Sequence, residues 1–320
     1  MNLAHNTHTV VTAPARQLRG AGPARADSLP SSPNADFIRV WNDILVPKFA
    51  RFRHILVDGF RGHSDAALTK HPVRAGKRAL DVGCGFGDTT LELARRAGPK
   101  GSALGIDCCD GFLEYGRRDA QALGVDNARF AVADAQTERF ESEFQLCFAR
   151  FGTMFFQSPV AAMRNLKGAL TPGGRLNMLV WRNIADNDWL ALPKHSAQAN
   201  LPAPPEQSQI CGPGPFSMAD PEAVRAILVG AGFVNVELQR VDVPVMVGLT
   251  VPEAIEFQLA IGPAGELMRE AGDLGVEKRP LIAAKLAALN EKYLTPTGVI
   301  MNSSSWCVTA ERPRGRACRR

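Results

Sequence analysis

The chain has 320 residues, 45% hydrophobic and 22% charged, enough to bury a sizeable core as one large or two modest domains. Its net charge of +5 sits in the ends: residues 1–33 carry +2 and residues 311–320 carry +4, leaving the body at −1, which argues against a folded groove for nucleic acid. No run approaches the roughly 18 apolar residues of a membrane span, and seven cysteines with no C-x-x-C pair indicate neither a disulfide framework nor a metal site.

Residues 1–33 read as a disordered extension, rich in Arg, Thr, Ala and Pro and closed by Leu29-Pro30-Ser31-Ser32-Pro33. An organellar transit peptide is the second reading of this segment. Reduced cysteines elsewhere fit a cytoplasmic protein. From Phe37 to Phe60 apolar residues recur at helical spacing. From residue 78 strands and helices alternate: strands over 78–82, 102–107, 129–133, 144–149 and 175–180, helices over 89–97, 110–123 and 159–170. Such alternation predicts a doubly wound α/β fold with a parallel sheet covered on both faces. Residues 182–216, rich in Pro, Asn and Gln, read as a long loop. A helix over 221–231, a strand over 234–241, a helical stretch over 252–294 and a last strand over 306–310 complete the domain, taken as 34–310. Residues 311–320 read as a basic tail. The insertions 182–216 and 252–295 are expected to cover the ligand edge of the sheet.

The stretch Ala79-Leu80-Asp81-Val82-Gly83-Cys84-Gly85-Phe86-Gly87-Asp88 carries the chemistry. A strand running into glycines on alternate positions turns tightly and lets a ligand approach the backbone, with the N–H groups of the next helix aimed at it. A dinucleotide fingerprint would place Gly or Ala where Asp88 stands, and a pyrophosphate there would meet a carboxylate. The simplest structural role for Asp88 is a helix N-cap. Asp107 ends the second strand 24 residues after Gly83, where a doubly wound fold offers an acid to ribose hydroxyls. Asp134 follows the third strand, and an acid there can accept from an adenine amino group. A nucleoside-containing ligand without phosphate suits both features.

These residues resemble the class I S-adenosylmethionine-dependent methyltransferases, in the broad UbiE-like small-molecule group. The likeness rests on LDVGCGFGDTTLELA, ALGIDCCDGFLEYGR, ARFAVADAQ, FARFGTMFF and LKGALTPGGRLNMLVW, within a span from about Trp41 to Ala310. The resemblance implies a mostly parallel seven-stranded sheet whose last strand is antiparallel, and S-adenosylmethionine as cofactor. It implies that Asp81, Gly83, Gly85 and Gly87 border the methionine part, that Asp107 with Cys108 binds the ribose side, and that Asp134 and Ala135 meet the adenine. Two positions depart from the family pattern: Gln145 stands where an acid is frequent at the start of the fourth strand, and Cys108-Cys109 stand where a small polar residue is more usual.

The sulfonium supplies the methyl chemistry and the protein supplies position and a dry site. Arg150, at the exit of the fourth strand, is a candidate for the cofactor side and a weaker one for catalysis; His195 is the other candidate base. Trp41, Phe155, Trp181 and Trp189 are the candidates for a partly aromatic acceptor pocket. The activity expected is methyl transfer to a small organic acceptor. An NAD-dependent oxidoreductase and a cofactor-binding module without turnover are the alternatives. Oligomeric state and acceptor atom stay open.

Overall fold

The computed structural model describes residues 34–202 and 214–314. The expected extension at 1–33, the middle of the first insertion at 203–213 and the chain end at 315–320 lie outside the described residues. From Asp36 onward the described residues form one compact unit.

The chain enters through α1 (Ala35–Val40), a wide helical turn at Trp41–Leu45, α2 (Val46–Arg51) and the long α3 (Arg53–Lys70). Then come β1 (Arg78–Val82), α4 (Asp88–Ala97), β2 (Ser102–Asp107), α5 (Asp110–Ala122), β3 (Ala128–Val132), β4 (Phe144–Arg150), α6 (Pro159–Ala169) and β5 (Leu170–Trp181). Four of the five residues of β1 are buried, as are five of the seven of β4. Such near-continuous burial marks parallel strands covered on both faces.

After β5 follow α7 (Asp188–Gln198), α8 (Pro221–Gly230), β6 (Val234–Asp242), β7 (Val245–Gly248), α9 (Val251–Ala260), α10 (Pro263–Glu270), α11 (Gly272–Asn290), β8 (Leu294–Thr295), β9 (Gly298–Met301) and β10 (Ser304–Glu311). The main sheet has the order β3-β2-β1-β4-β5-β10-β6. Only β10 runs against its neighbours, pairing antiparallel with both β5 and β6. The fold is therefore the expected doubly wound seven-stranded one. Strand order reverses between β1 and β4, and ligands bind outside the carboxyl ends of strands at such a point.

Three segments differ from expectation. Thr171-Pro172-Gly173-Gly174 does not separate helix from strand; it lies within β5 as a register shift against β4, with Gly173 at φ +77°. Residues 188–198 are helix α7 rather than loop. Buried Asn187 anchors its start: its Nδ2 donates to the carbonyls of Asn183 (3.1 Å) and Ser304 (3.1 Å), and its Oδ1 accepts from the Ser304 N–H (2.9 Å). The third is a small antiparallel sheet, β7-β9-β8, against which α3 lies. It comes so close that a Cβ on Gly59 would stand 2.9 Å from the Met246 carbonyl oxygen.

Helices α7, α9, α10 and α11 close on one another around Ala197, Leu259, Ala264, Leu267, Ile282 and Leu286, a core separate from that of the sheet. No described helix is long and apolar enough to cross a membrane.

Candidate active site

The turn after β1 holds its three glycines at φ +63°, +52° and +82° for Gly83, Gly85 and Gly87, a region that L side chains enter only with strain. Their surroundings separate their roles. A Cβ on Gly83 would stand 3.1 Å from the Cα of Gly152, and one on Gly87 would stand 2.6 Å from the Phe130 ring and 2.9 Å from the Cα of Gly116. Those two glycines let backbone and ring pack. A Cβ on Gly85 would meet nothing within 4 Å, so Gly85 faces open space at the start of α4.

Three carboxylates sit at the carboxyl ends of the first three strands: Asp81 within β1, Asp107 as the last residue of β2, and Asp134 just beyond β3. Asp81 is fully buried; its Oδ2 accepts from the hydroxyls of Thr89 (2.6 Å) and Thr90 (2.7 Å) in the first turns of α4. Its other oxygen, Oδ1, is buried with no hydrogen-bond partner in the protein. Burial pushes the carboxyl up to about 6, against the pull of the two threonine hydroxyls. Asp107 reaches back to the turn: its Oδ2 accepts from the Gly85 N–H and its Oδ1 from the Cys109 N–H, each at 3.0 Å. Burial raises this carboxyl too, with those N–H groups acting the other way. Asp134 folds its own loop, Oδ1 accepting from the Gln136 N–H at 2.9 Å. The carbonyl of buried Ala135 accepts from Asn165 Nδ2 at 2.9 Å.

Asp88 is not the N-cap of α4. Gly87 takes that place, and Asp88 opens the first turn. Its carboxylate pairs with Arg150 at 2.8 Å, a contact with little exposure, so the like charge expected at this helix start is neutralised. The other arm of Arg150 donates to Ser64 Oγ at 3.1 Å. Arg150 thus ties β4 to α3 and α4, with both arms engaged. Phe151, next in the chain, sits at φ +57°, a strained conformation for an aromatic residue. It is held there by its N–H bond to Leu179 O (2.9 Å) and by stacking on Trp181 at 3.6 Å.

The four aromatic candidates fall into two pairs. Trp41 and Phe155 meet edge to face at 5.1 Å, and Trp41 also touches Phe112 of α5, which meets Phe86 of the glycine turn at 5.0 Å. Trp181 and Trp189 meet at 5.4 Å in another cluster, with Phe60, Phe151 and Phe257. This second pair is only 3% and 4% exposed, and the Trp189 indole N–H is buried without a partner in the protein. His195 lies exposed on α7.

Sequence reasoning passed over His63 on α3. It is buried, with Nε2 2.7 Å from Ser303 Oγ and Nδ1 2.9 Å from Ser305 Oγ. Ser303 gives its own proton to the Val243 carbonyl, so the His63 Nε2–H donates to Ser303 and Nδ1 accepts from Ser305. The rings of Phe151 and Trp181 meet His63 edge-on. Burial, with Arg150 nearby, lowers its pKa to about 4. The only sequence sign was a histidine on an otherwise buried helical face; its partners lie 240 and 242 residues away.

Residues 79–174 match the family profile described as a methyltransferase domain. Aklanonic acid methyltransferase DauC of Streptomyces sp. (strain C5) is 33% identical over 102 residues, 32% of this chain and 46% of that protein. Demethylmenaquinone methyltransferase of Staphylococcus aureus (strain JH9) is 34% identical over 103 residues, 32% of this chain and 42% of that protein. The chain thus spans less than half the length of these curated relatives. Among solved structures, the YcgJ protein from Bacillus subtilis shares the fold, with a TM-score of 0.52 at 16% identity, covering 79% of this chain and 99% of that one.

Proposed function

We propose that this chain, whose residues 79–174 match a methyltransferase-domain profile, is a class I S-adenosylmethionine-dependent methyltransferase that transfers a methyl group to a small organic acceptor with an apolar or partly aromatic body. The observation that carries the reading is the Gly85 position, open to a ligand on its Cβ side while its N–H is held by the Asp107 carboxylate at 3.0 Å.

The residues suit the cofactor by its chemistry. S-adenosylmethionine supplies an electrophilic methyl group on a sulfonium and brings a carboxylate, an ammonium and a nucleoside, with no phosphate. The open face at Gly85 and the N-terminal N–H groups of α4 suit the carboxylate. The unpartnered Asp81 Oδ1 is a buried acceptor suited to a cationic neighbour. Asp107 would hold the ribose hydroxyls, and Asp134 with Ala135 the adenine edge. Cys108, half-buried beside Asp107, would lie against the nucleoside.

On the acceptor side, Trp41 and Phe155 offer half-buried rings, Trp41 two ring contacts from Phe86 of the glycine turn and Phe155 one further. They would orient an apolar body and exclude water; alignment of an acceptor lone pair with the methyl group can contribute on the order of 7 kcal/mol or more in good cases. Arg150 acts as a strut between β4, α3 and α4 and holds the start of α4 in place. The relatives named for aklanonic acid and demethylmenaquinone support an organic acceptor.

The test is calorimetry with S-adenosylhomocysteine and, separately, with NADH, followed by labelled methyl donor with fractionated metabolite extracts. We expect one site for S-adenosylhomocysteine and label in an apolar fraction. Binding of NADH without S-adenosylhomocysteine would overturn the cofactor; cofactor binding with no labelled product in any fraction would overturn turnover on a small molecule.

A further inference from the structure

We infer that Asp107, Cys108 and Cys109 form a binding site for a thiophilic divalent cation of the zinc type, and that this ion and the cofactor exclude each other at Asp107. The second half of the inference rests on the reading of Asp107 as the ribose acid.

Neighbouring side chains in an extended chain point to opposite sides, so consecutive cysteines leaving a strand ought to carry their sulfurs apart. Here they do not. The turn from β2 into α5 folds the pair together: Cys109 is the N-cap residue of α5 and its N–H is held by Asp107 Oδ1 at 3.0 Å. The sulfurs of Cys108 and Cys109 end 3.7 Å apart. Two thiolates each about 2.3 Å from a tetrahedral zinc stand about 3.8 Å from one another. The pair already has that bite, and one atom from each of Asp107, Cys108 and Cys109 lies within 4.8 Å of the other two.

The electrostatics point the same way. The groups that steady the Asp107 carboxylate are the N–H groups of Gly85, Cys109 and Cys108 and the Cys108 thiol, with no cationic side chain among them. A cation there would meet two sulfurs and a carboxylate whose charge is otherwise held only by dipoles. Cys108 is half-buried and Cys109 buried behind it, so the ion enters at Cys108. On binding, two thiol protons leave to solvent as two metal–sulfur bonds form. The Asp107 carboxylate is the third donor, and the fourth position is left to water. No oxidation state changes. Zinc signatures in sequence look for spaced cysteine pairs, and an adjacent pair escapes that search.

The experiment uses the full chain, reduced and stripped of metal. Zinc is titrated in competition with a chromophoric chelator, and cadmium is followed by sulfur-to-metal absorption. We expect one equivalent of each ion, with the cadmium band of two thiolates. The C108S/C109S double variant should bind zinc more weakly by over the about 10- to 100-fold that loss of a mere outer-shell partner brings. Should the double variant fail to fold, C108A, altered at the more exposed of the two, makes the same comparison. Wild-type zinc affinity no tighter than the variant's, or an unchanged cadmium band in the variant, overturns the site.

Calorimetry with S-adenosylhomocysteine in saturating zinc then tests exclusion. The apparent dissociation constant should rise at least about tenfold in the wild type and not respond to zinc in the double variant; no zinc effect in the wild type overturns the sharing of Asp107. If S-adenosylhomocysteine fails to bind the metal-free chain, the cofactor reading falls while the zinc titration still stands. If it binds and zinc does not, only this inference falls.

Discussion

The glycine turn and the scaffold of helices and late strands around it are built on different scales. At the turn, Asp81, Gly85, Thr89 and Asp107 come from a stretch of 27 residues, and their bonds run between one strand end and the next. In the scaffold, the defining contacts are remote in sequence: His63 with Ser303 and Ser305, Asn187 with Ser304, Phe52 with Phe257. A site of local contacts is set by short-range backbone geometry. A scaffold of remote ones depends on the whole chain having packed.

The strongest way to break this comparison is inside the turn itself, where two glycines two residues apart should respond differently. Gly87→Ala forces a Cβ to within 2.6 Å of the Phe130 ring at φ +82°. Left-handed strain and overpacking together should cost about 3–5 kcal/mol of stability, read in denaturant melts. Gly85→Ala places its methyl in open space at φ +52°, so about 1–2 kcal/mol of strain is expected. Its loss of S-adenosylhomocysteine affinity should be on the order of 100-fold, about 2.7 kcal/mol. Equal behaviour of the two variants would mean that Gly85 does not face the ligand.

Each region also holds a buried group whose folded titration lies in the weakly acid range, and the two have opposite signs. His63 titrates near 4 in the fold and 6.5 when unfolded, so its contribution to stability is present above pH 6.5 and is lost as pH falls toward 4. Asp81 titrates near 6 in the fold and 3.8 when unfolded, so its contribution is present below pH 3.8 and is lost as pH rises through 6. Each is worth roughly 3 kcal/mol, and between pH 4 and 6 they offset one another. His63→Gln should therefore make stability rise as pH falls through that window relative to wild type, and Asp81→Asn should make it fall. Identical pH slopes for the two variants and the wild type would show that neither group is buried as described.

Asp107→Ala comes next. A carboxylate bonded to ribose hydroxyls contributes roughly 1.5–3 kcal/mol, so a 10- to 150-fold weaker S-adenosylhomocysteine affinity is expected in a folded variant. Unchanged affinity by calorimetry would remove Asp107 from the site.

Legibility in the sequence followed the same division. The strands that end at Val82, Asp107 and Arg150 show as apolar runs, and the glycines and acids beyond them mark the turn because strand period and φ > 0 positions leave local traces. What the residues do there was less visible. That Gly87 packs while Gly85 faces open space depends on Phe130 and Gly116, and that Asp88 pairs with Arg150 depends on a strand 62 residues away. Helix α7 was hidden by its Pro193 and polar neighbours, since the anchor at Asn187 comes from β10. The β7-β9-β8 sheet was hidden because its strands have only two to four residues each. The aromatic candidates were recognised as residues but not as two separate pairs, a distinction that only packing makes.

The smallest effect is expected at the far end of the sheet, where strand β10 runs one residue past the expected domain end at Ala310. Arg312 follows it and is fastened to the body. Its backbone exchanges bonds with Gly173 and Gly174, at 3.0 and 2.9 Å. Its guanidinium donates to Ser142 Oγ (3.0 Å) and to the carbonyls of Gly168 (2.9 Å) and Leu170, at the end of α6. A cation that satisfies the last carbonyls of a helix also complements its dipole. Arg312→Ala should therefore lower stability by about 1–2 kcal/mol. Arg312→Lys should recover part of that loss, since lysine keeps the charge without the planar fork. Cofactor affinity should hold in both variants, because these contacts lie on the side where β5 begins and the proposed ligand edge is where it ends. A loss of more than about tenfold in S-adenosylhomocysteine affinity, roughly 1.4 kcal/mol, in a variant that melts near the wild type would mean that the two ends of the sheet are coupled, and the division between a local site and a remote scaffold would not hold.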